Sequence, residues 1–218
     1  MINLNLDGRP PAPRTVLCLG AHADDIEIGC GGTLLKLTEQ NPNVTIHWVV
    51  FSATPLRARE AKDSAEVLLR SAVAKRIVVK HFRDSYFPFM GERIKKFVQR
   101  LSHEVAPDLI FTHHRKDLHQ DHRLLAELTW NAFRNHLILE YEIPKYDGDM
   151  GAPNAYVHLS KEMAERKVRH ICEQFKTQKS KQWFTEDTFL ALLRLRGIES
   201  NSPGKYAEAF YSQKMLLF

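Results

Sequence analysis

The chain has 218 residues, is 44% hydrophobic and carries a formal charge of +5, which suits one sizeable core over residues 1–218 and excludes a disordered or low-complexity protein. No apolar run approaches the roughly 20 residues that cross a bilayer, and Met1 to Arg14 hold polar and proline residues where a secretory leader needs an apolar centre, so a cytoplasmic protein with no membrane partner is expected. The three cysteines (Cys18, Cys30, Cys172) are far apart and fit neither a disulfide framework nor a CxxC site.

In chain order, the apolar run Thr15 to Gly20 predicts a strand, Ile26 to Gln40 a helix and Val44 to Ser52 a second strand, the rhythm of a βαβ unit. A charged amphipathic helix is expected at Leu56 to Ser71, a strand at Arg76 to Lys80, a loop holding Phe82 to Phe89, a helix at Glu92 to Glu104 and a strand at Asp108 to Thr112. Arg123 to His136 then predicts a helix, Ile138 to Ile143 a strand and Lys145 to Asn154 a Gly/Asp/Pro turn region. In the tail, strands are expected at Ala155 to Leu159 and Ala207 to Leu216, with helices at Lys161 to Lys176 and Glu186 to Arg196. The alternation predicts an α/β fold, a Rossmann-like, mostly parallel sheet flanked by helices. The tail helices and the turn Asn201 to Gly204 leave open a lid or a homo-oligomer interface.

Two clusters stand out. Ala21-His22-Ala23-Asp24-Asp25 follows the first predicted strand, where open α/β sheets bind ligands. One aspartate there would serve as a helix cap, but His22 before two adjacent carboxylates calls for a positive charge between them, which a metal supplies. The glycines of Gly29-Cys30-Gly31-Gly32 miss the GxGxxG spacing, since Leu34 stands at the last glycine position, and are read instead as giving room for close approach to neighbouring backbone. The second cluster follows the strand at Asp108 to Thr112 and packs His113, His114, Asp117, His119, Asp121 and His122 into ten positions. Imidazoles and carboxylates at two strand ends form the donor set of a zinc site, with spare acids and bases for chemistry on water. Such a site lies at the carboxyl ends of strand one and of strand four or five.

These two motifs resemble those of the LmbE-like, or PIG-L, family of zinc-dependent N-deacetylases, whose members carry (A/P)HPDD after the first strand and HxDH later. Here they read Ala-His-Ala-Asp-Asp, with Ala23 where most members have proline, and His119-Gln120-Asp121-His122. Arg57-Ala58-Arg59-Glu60-Ala61 is similar to the family's arginine-containing helix start, and Asp84 lies in a loop like one bordering substrate. The resemblance implies that His22, Asp25 and His122 bind zinc and that Asp24 takes a proton from the water the metal activates. Three protein ligands leave a coordination position open for water. It also implies supporting roles for His119, as oxyanion donor or as acid to the leaving amine, and for Asp121, as the acceptor orienting a histidine. Arg57 and Asp84 become substrate contacts, and the substrate an N-acetylated sugar or sugar conjugate. A His-Asp-His site with water also accepts iron, cobalt or manganese.

The enzymatic rival is a zinc amidase or esterase acting on a non-sugar substrate. From another class, the Rossmann-like rhythm and basic charge suggest a non-catalytic nucleotide- or nucleic-acid-binding module. The basic residues are spread along the chain rather than gathered with stacking aromatics, which argues against nucleic acid, although a basic rim suits a phosphorylated or nucleotide-linked substrate.

Overall fold

A computed structural model describes residues 13–216. Most of the segment Met1 to Arg14, read above as lacking a leader's apolar centre, lies outside the described residues. Among the described residues, no helix is long and apolar enough to cross a membrane.

Five strands, β1 (Thr15–Gly20), β2 (Thr45–Val50), β3 (Ala74–Val79), β4 (Leu109–His113) and β5 (Leu137–Tyr141), pair in parallel in the order β3-β2-β1-β4-β5. Two later strands extend the sheet beyond β5. They are β6 (Ala155–Leu159), at the edge, and β7 (Tyr206–Ser212), which runs antiparallel to both β5 and β6. The helices are α1 (Asp25–Gln40), α2 (Pro55–Leu68), α3 (Gly91–Glu104), α4 (Gln120–Ala132), α5 (Lys161–Gln174) and α6 (Glu186–Glu199). The fold is therefore the expected single α/β unit with a mostly parallel sheet.

Alternation along β1 divides the core. Val16 and Cys18 face a layer with Trp48, Phe111, Tyr141 and Phe210, covered by residues of α1, α2, α5 and α6. Leu17 and Leu19 face the other layer, with Val49, Phe51 and Ile110, covered by Ile94 and Val98 of α3 and Leu125 of α4. Both sides of β1 are thus buried, which explains its unbroken apolar sequence. From β1 the chain steps outward to β2 and β3 and then returns to β4 on the other side of β1. The β1 and β4 exits consequently diverge and leave a crevice at their carboxyl ends.

Helix α1 is broken at Cys30, whose φ of −142° is not helical. Glu208 of β7 occupies the break, accepting from Gly32 N (2.7 Å) and Thr33 N (2.6 Å). Lys167 of α5 completes the junction, its Nζ 2.6 Å from both Glu208 Oε1 and the Ile28 carbonyl oxygen. The glycines here make room for side chains rather than for backbone, contrary to the expectation above. A Cβ on Gly29 would lie 2.2 Å from the Tyr141 ring, and one on Gly32 would lie 2.6 Å from Leu159.

Other departures are local. α4 starts at Gln120 rather than Arg123, because the His119 side chain accepts from Asp121 N and caps the helix earlier, placing Asp121 and His122 in its first turn. Phe87–Met90, expected as loop, forms a 3-10 turn. Cys18 and Cys30 are buried, Cys172 is half-buried, and all three are free thiols.

The junction at the α1 break yields a stability prediction. Glu208→Ala would strand a buried ammonium and two backbone N–H groups, so urea unfolding should show a loss of about 3–5 kcal/mol; an unchanged midpoint would contradict this account of the break.

Candidate metal centre

The two clusters meet in the β1/β4 crevice. The turn Ala21 to Asp24 leaves β1, and its direction is set by two bonds from the adjacent β2 exit, Phe51 N to Gly20 O (2.9 Å) and Ser52 N to Ala21 O (2.8 Å). Asp24 stands at the N-cap position of α1 but makes no side-chain cap bond. Its Oδ1 instead accepts from Arg57 Nη2 at 2.6 Å. Asp25 turns inward, its Oδ2 accepting from His22 N at 2.6 Å. Neither carboxylate is spent on capping.

Three donor atoms converge. His22 Nδ1 lies 3.1 Å from His122 Nε2 and 3.4 Å from Asp25 Oδ2, and the last two are 3.6 Å apart. Metal–ligand bonds of 2.0–2.2 Å in a tetrahedron give ligand separations of roughly 3.3–3.6 Å, so the triangle has the size of one face of a zinc-like coordination sphere. Two imidazole nitrogens and one carboxylate oxygen also match zinc's preferred donors. Overlapping triads, His22/His119/His122 and Asp25/His113/His122, likewise have the proximity needed to hold an ion.

Both imidazoles are held from behind, and Asp25 is held at its converging oxygen. The far nitrogen of His22, Nε2, lies 3.2 Å from both Asp121 Oδ2 and Asp84 Oδ1. Asp121, fully buried, is fixed by Ser85 N (2.7 Å) and Phe87 N (3.0 Å). The far nitrogen of His122, Nδ1, lies 3.0 Å from Asp117 Oδ2. Asp25 Oδ2 is 3.1 Å from His113 Nε2, and the His113 ring stacks on His122 with centroids 3.9 Å apart. Carboxylates placed behind ligating imidazoles fix tautomer and orientation.

The electrostatics follow from this packing. Burial disfavours the His22 imidazolium, but the charge of Asp25 and hydrogen bonds accepted by Asp121, Asp25 and Asp84 outweigh it and raise its pKa well above the ordinary value. A cation is favoured there. Burial lowers His122 to about 3, with His113 adding to the effect, so His122 is neutral at pH 7. Burial would raise Asp25, but the surrounding imidazoles hold it well below the carboxylate range. Asp24 is shifted upward by burial, with Arg57 opposing the shift.

The remaining expected residues are near but distinct. His119, half-buried, sits edge-on to His22 with centroids 4.9 Å apart. Its pKa is lowered, first by burial and then by His22, and its Nδ1 is occupied as the acceptor from Asp121 N, which puts the proton of the neutral ring on Nε2. Asp84 lies at the mouth, its side chain 59% exposed, and Ser85 beside it adopts a left-handed φ of +64°. In the loop beside Asp84, Phe87 is core, whereas Phe89 is exposed.

The structure gives roles to residues for which sequence reasoning had none. His113 and Asp117 belong to the second cluster, read as metal- or proton-handling as a group, but carry no individual role in the sequence; the signal for His113 is its place as the last residue of β4, directly beside β1. Lys145 falls in the expected turn region, yet its Nζ is 3.1 Å from Asp117 Oδ2 and 2.6 Å from Asp149 Oδ2. No local pattern marks it.

Comparison with known proteins agrees with this architecture. The pattern of the PIG-L family, described as GlcNAc-PI de-N-acetylase, matches residues 17–133. A curated relative, the uncharacterized deacetylase YaiS of Escherichia coli (strain K12), is 26% identical over 142 residues, 59% of this chain and 74% of its own. Among solved structures, the N,N'-diacetylchitobiose deacetylase of Pyrococcus horikoshii superposes with a TM-score of 0.68 at 21% identity, over 96% of this chain and 87% of that one. GalB, the 4-carboxy-2-hydroxymuconate hydratase of Pseudomonas putida KT2440, superposes with a TM-score of 0.71 at 16% identity, over 94% and 98%. With more than half of its length matched by the family pattern, and with both motifs of that pattern converging in one crevice, the chain belongs to the PIG-L (LmbE-like) family.

Proposed function

We propose that the protein is a metal-dependent N-deacetylase that hydrolyses the N-acetyl group of an amino sugar or sugar conjugate to a free amine and acetate. The carrying observation is the triangle of His22 Nδ1, Asp25 Oδ2 and His122 Nε2, with separations of 3.1, 3.4 and 3.6 Å. The fold alone would not choose the reaction, since a hydratase shares it. Family membership and the deacetylase relatives support amide hydrolysis, and the diacetylchitobiose deacetylase supports a sugar substrate.

His22, Asp25 and His122 would hold the ion, zinc or another divalent transition metal. When bound, it would supply a Lewis acid for the amide carbonyl and make water a stronger acid, with a pKa of about 7. Asp24 is the base. Buried beside Asp25, it has a raised proton affinity, while Arg57 at 2.6 Å orients it and favours the ionised form. Water attacks the carbonyl carbon as Asp24 takes its proton. His119, neutral and carrying its hydrogen on Nε2, donates to the developing oxyanion. Its lowered pKa leaves little imidazolium near neutral pH to protonate the amine, so the amine nitrogen takes its proton from the Asp24 carboxyl as the C–N bond breaks. That transfer restores the carboxylate. Asp121 orients His22, and Asp84, at the mouth, is placed to accept from a sugar hydroxyl.

The expected outcome is acetate release from N-acetylated sugars that collapses by about 10²–10⁴-fold in Asp24→Asn, the range for loss of a general base, with zinc content unchanged. Coupled acetate detection with parallel elemental analysis checks both. Normal turnover in Asp24→Asn would overturn the assignment of the base.

A further inference from the structure

Behind His122 lies a buried ionic chain that reaches the loop after β5. Asp117 Oδ2 is 3.0 Å from His122 Nδ1, while its Oδ1 accepts from His119 N at 2.8 Å. One carboxylate thus holds both histidines of the second motif, one by its ring and one by its backbone. Asp117 is itself fixed from two sides. Its backbone N donates to His114 O (3.0 Å), and Lys145 Nζ stands 3.1 Å from Oδ2.

Lys145 is a long cationic side chain only 9% exposed, which is unusual unless its charge is used. Its ammonium has three acceptor partners. They are Asp117, Asp149 at 2.6 and 2.7 Å, and the Ile143 carbonyl oxygen at 3.3 Å. Asp149 closes a ring of contacts by accepting from Leu118 N at 2.7 Å. The chain runs from the loop after β5, through Lys145, to Asp117 and then to the imidazole of His122.

We infer that Asp117 and Lys145 are positioning residues for His122, a clamp that keeps the His122 proton on Nδ1 and presents Nε2 as a free donor atom toward Asp25 and His22. The physical reason lies in the two nitrogens of one ring. An anionic acceptor at Nδ1 fixes the hydrogen there and raises the basicity of Nε2. A carboxylate that deep needs a counter-cation, or its own burial would work against the ionised form. Lys145 supplies that charge from an element outside both motifs, so the geometry of the metal ligand depends on a segment that the motifs do not include. The inference rests on the metal reading proposed above.

Zinc affinity of the full chain, measured by chelator competition for the wild type, Asp117→Asn, Lys145→Met and the double variant, tests it. Thermal unfolding and ¹⁵N-histidine NMR of the His122 tautomer accompany the titrations. Asp117→Asn is expected to weaken zinc by about 10- to 100-fold and to remove the preference for an Nδ1 proton. Lys145→Met should weaken zinc severalfold but should add little once Asp117 is already Asn, as for residues acting through one partner. Affinities within twofold of wild type in folded single variants, or fully additive losses, would overturn the clamp. If Asp117→Asn does not fold, Lys145→Met decides alone by the same twofold criterion and by the His122 tautomer. A wild-type chain that holds no zinc defeats the metal reading, and the clamp with it; a wild-type chain that holds zinc no more tightly than Asp117→Asn defeats the clamp alone.

Discussion

Three ligand-type atoms, two imidazole nitrogens and a carboxylate oxygen, are buried within 3.6 Å of one another at the carboxyl ends of β1 and β4. Lone pairs crowded in this way repel unless protons or a cation lie between them, and burial removes the water that would otherwise screen them. The surrounding groups are organised around this constraint. Asp121 lies behind His22, Asp117 behind His122 and His113 beside Asp25. Each contact holds a donor atom facing inward and reduces its freedom to turn away.

The scaffold reaches the same point from the other direction. β1 can end in a polar turn because the crossover to β4 opens a crevice there, and α1 can start beside it because its own break, one turn later, is closed by Glu208 and Lys167. Gly29 lets the Tyr141 ring pass against α1, and the Tyr141 hydroxyl donates to the Leu19 carbonyl oxygen at 2.6 Å. The turn Ala21 to Asp24 is therefore braced by β5 and β7 as well as by its immediate neighbours. On the opposite wall, the capping role of His119 brings Asp121 and His122 into the first turn of α4, where both face the crevice.

Much of this was legible in the sequence. Unbroken apolar runs and 3.6-residue periodicity located the strands and helices to within a few residues, because burial on both faces of β1 and on one face of α3 leaves a direct mark on residue order. The group His22, Asp24 and Asp25 stood out because adjacent like charges after a strand are costly without a partner, whereas His122 was picked from its cluster only by the resemblance of the second motif. The start of α4 was not, since a histidine cap carries no strong propensity signal. Nor was the pairing of Arg57 with Asp24, which joins α2 to the β1 exit and depends on tertiary placement. Lys145 lay in a turn-rich segment, where local chemistry predicts chain reversal and nothing about an ion pair with Asp117, 28 positions earlier.

A metal centre built from these donors should be visible in the elemental analysis of the purified protein: close to one divalent transition metal ion per chain in the wild type, lost in an identically prepared His122→Ala variant. A wild-type chain that retains no metal after incubation with zinc and removal of the excess would contradict it.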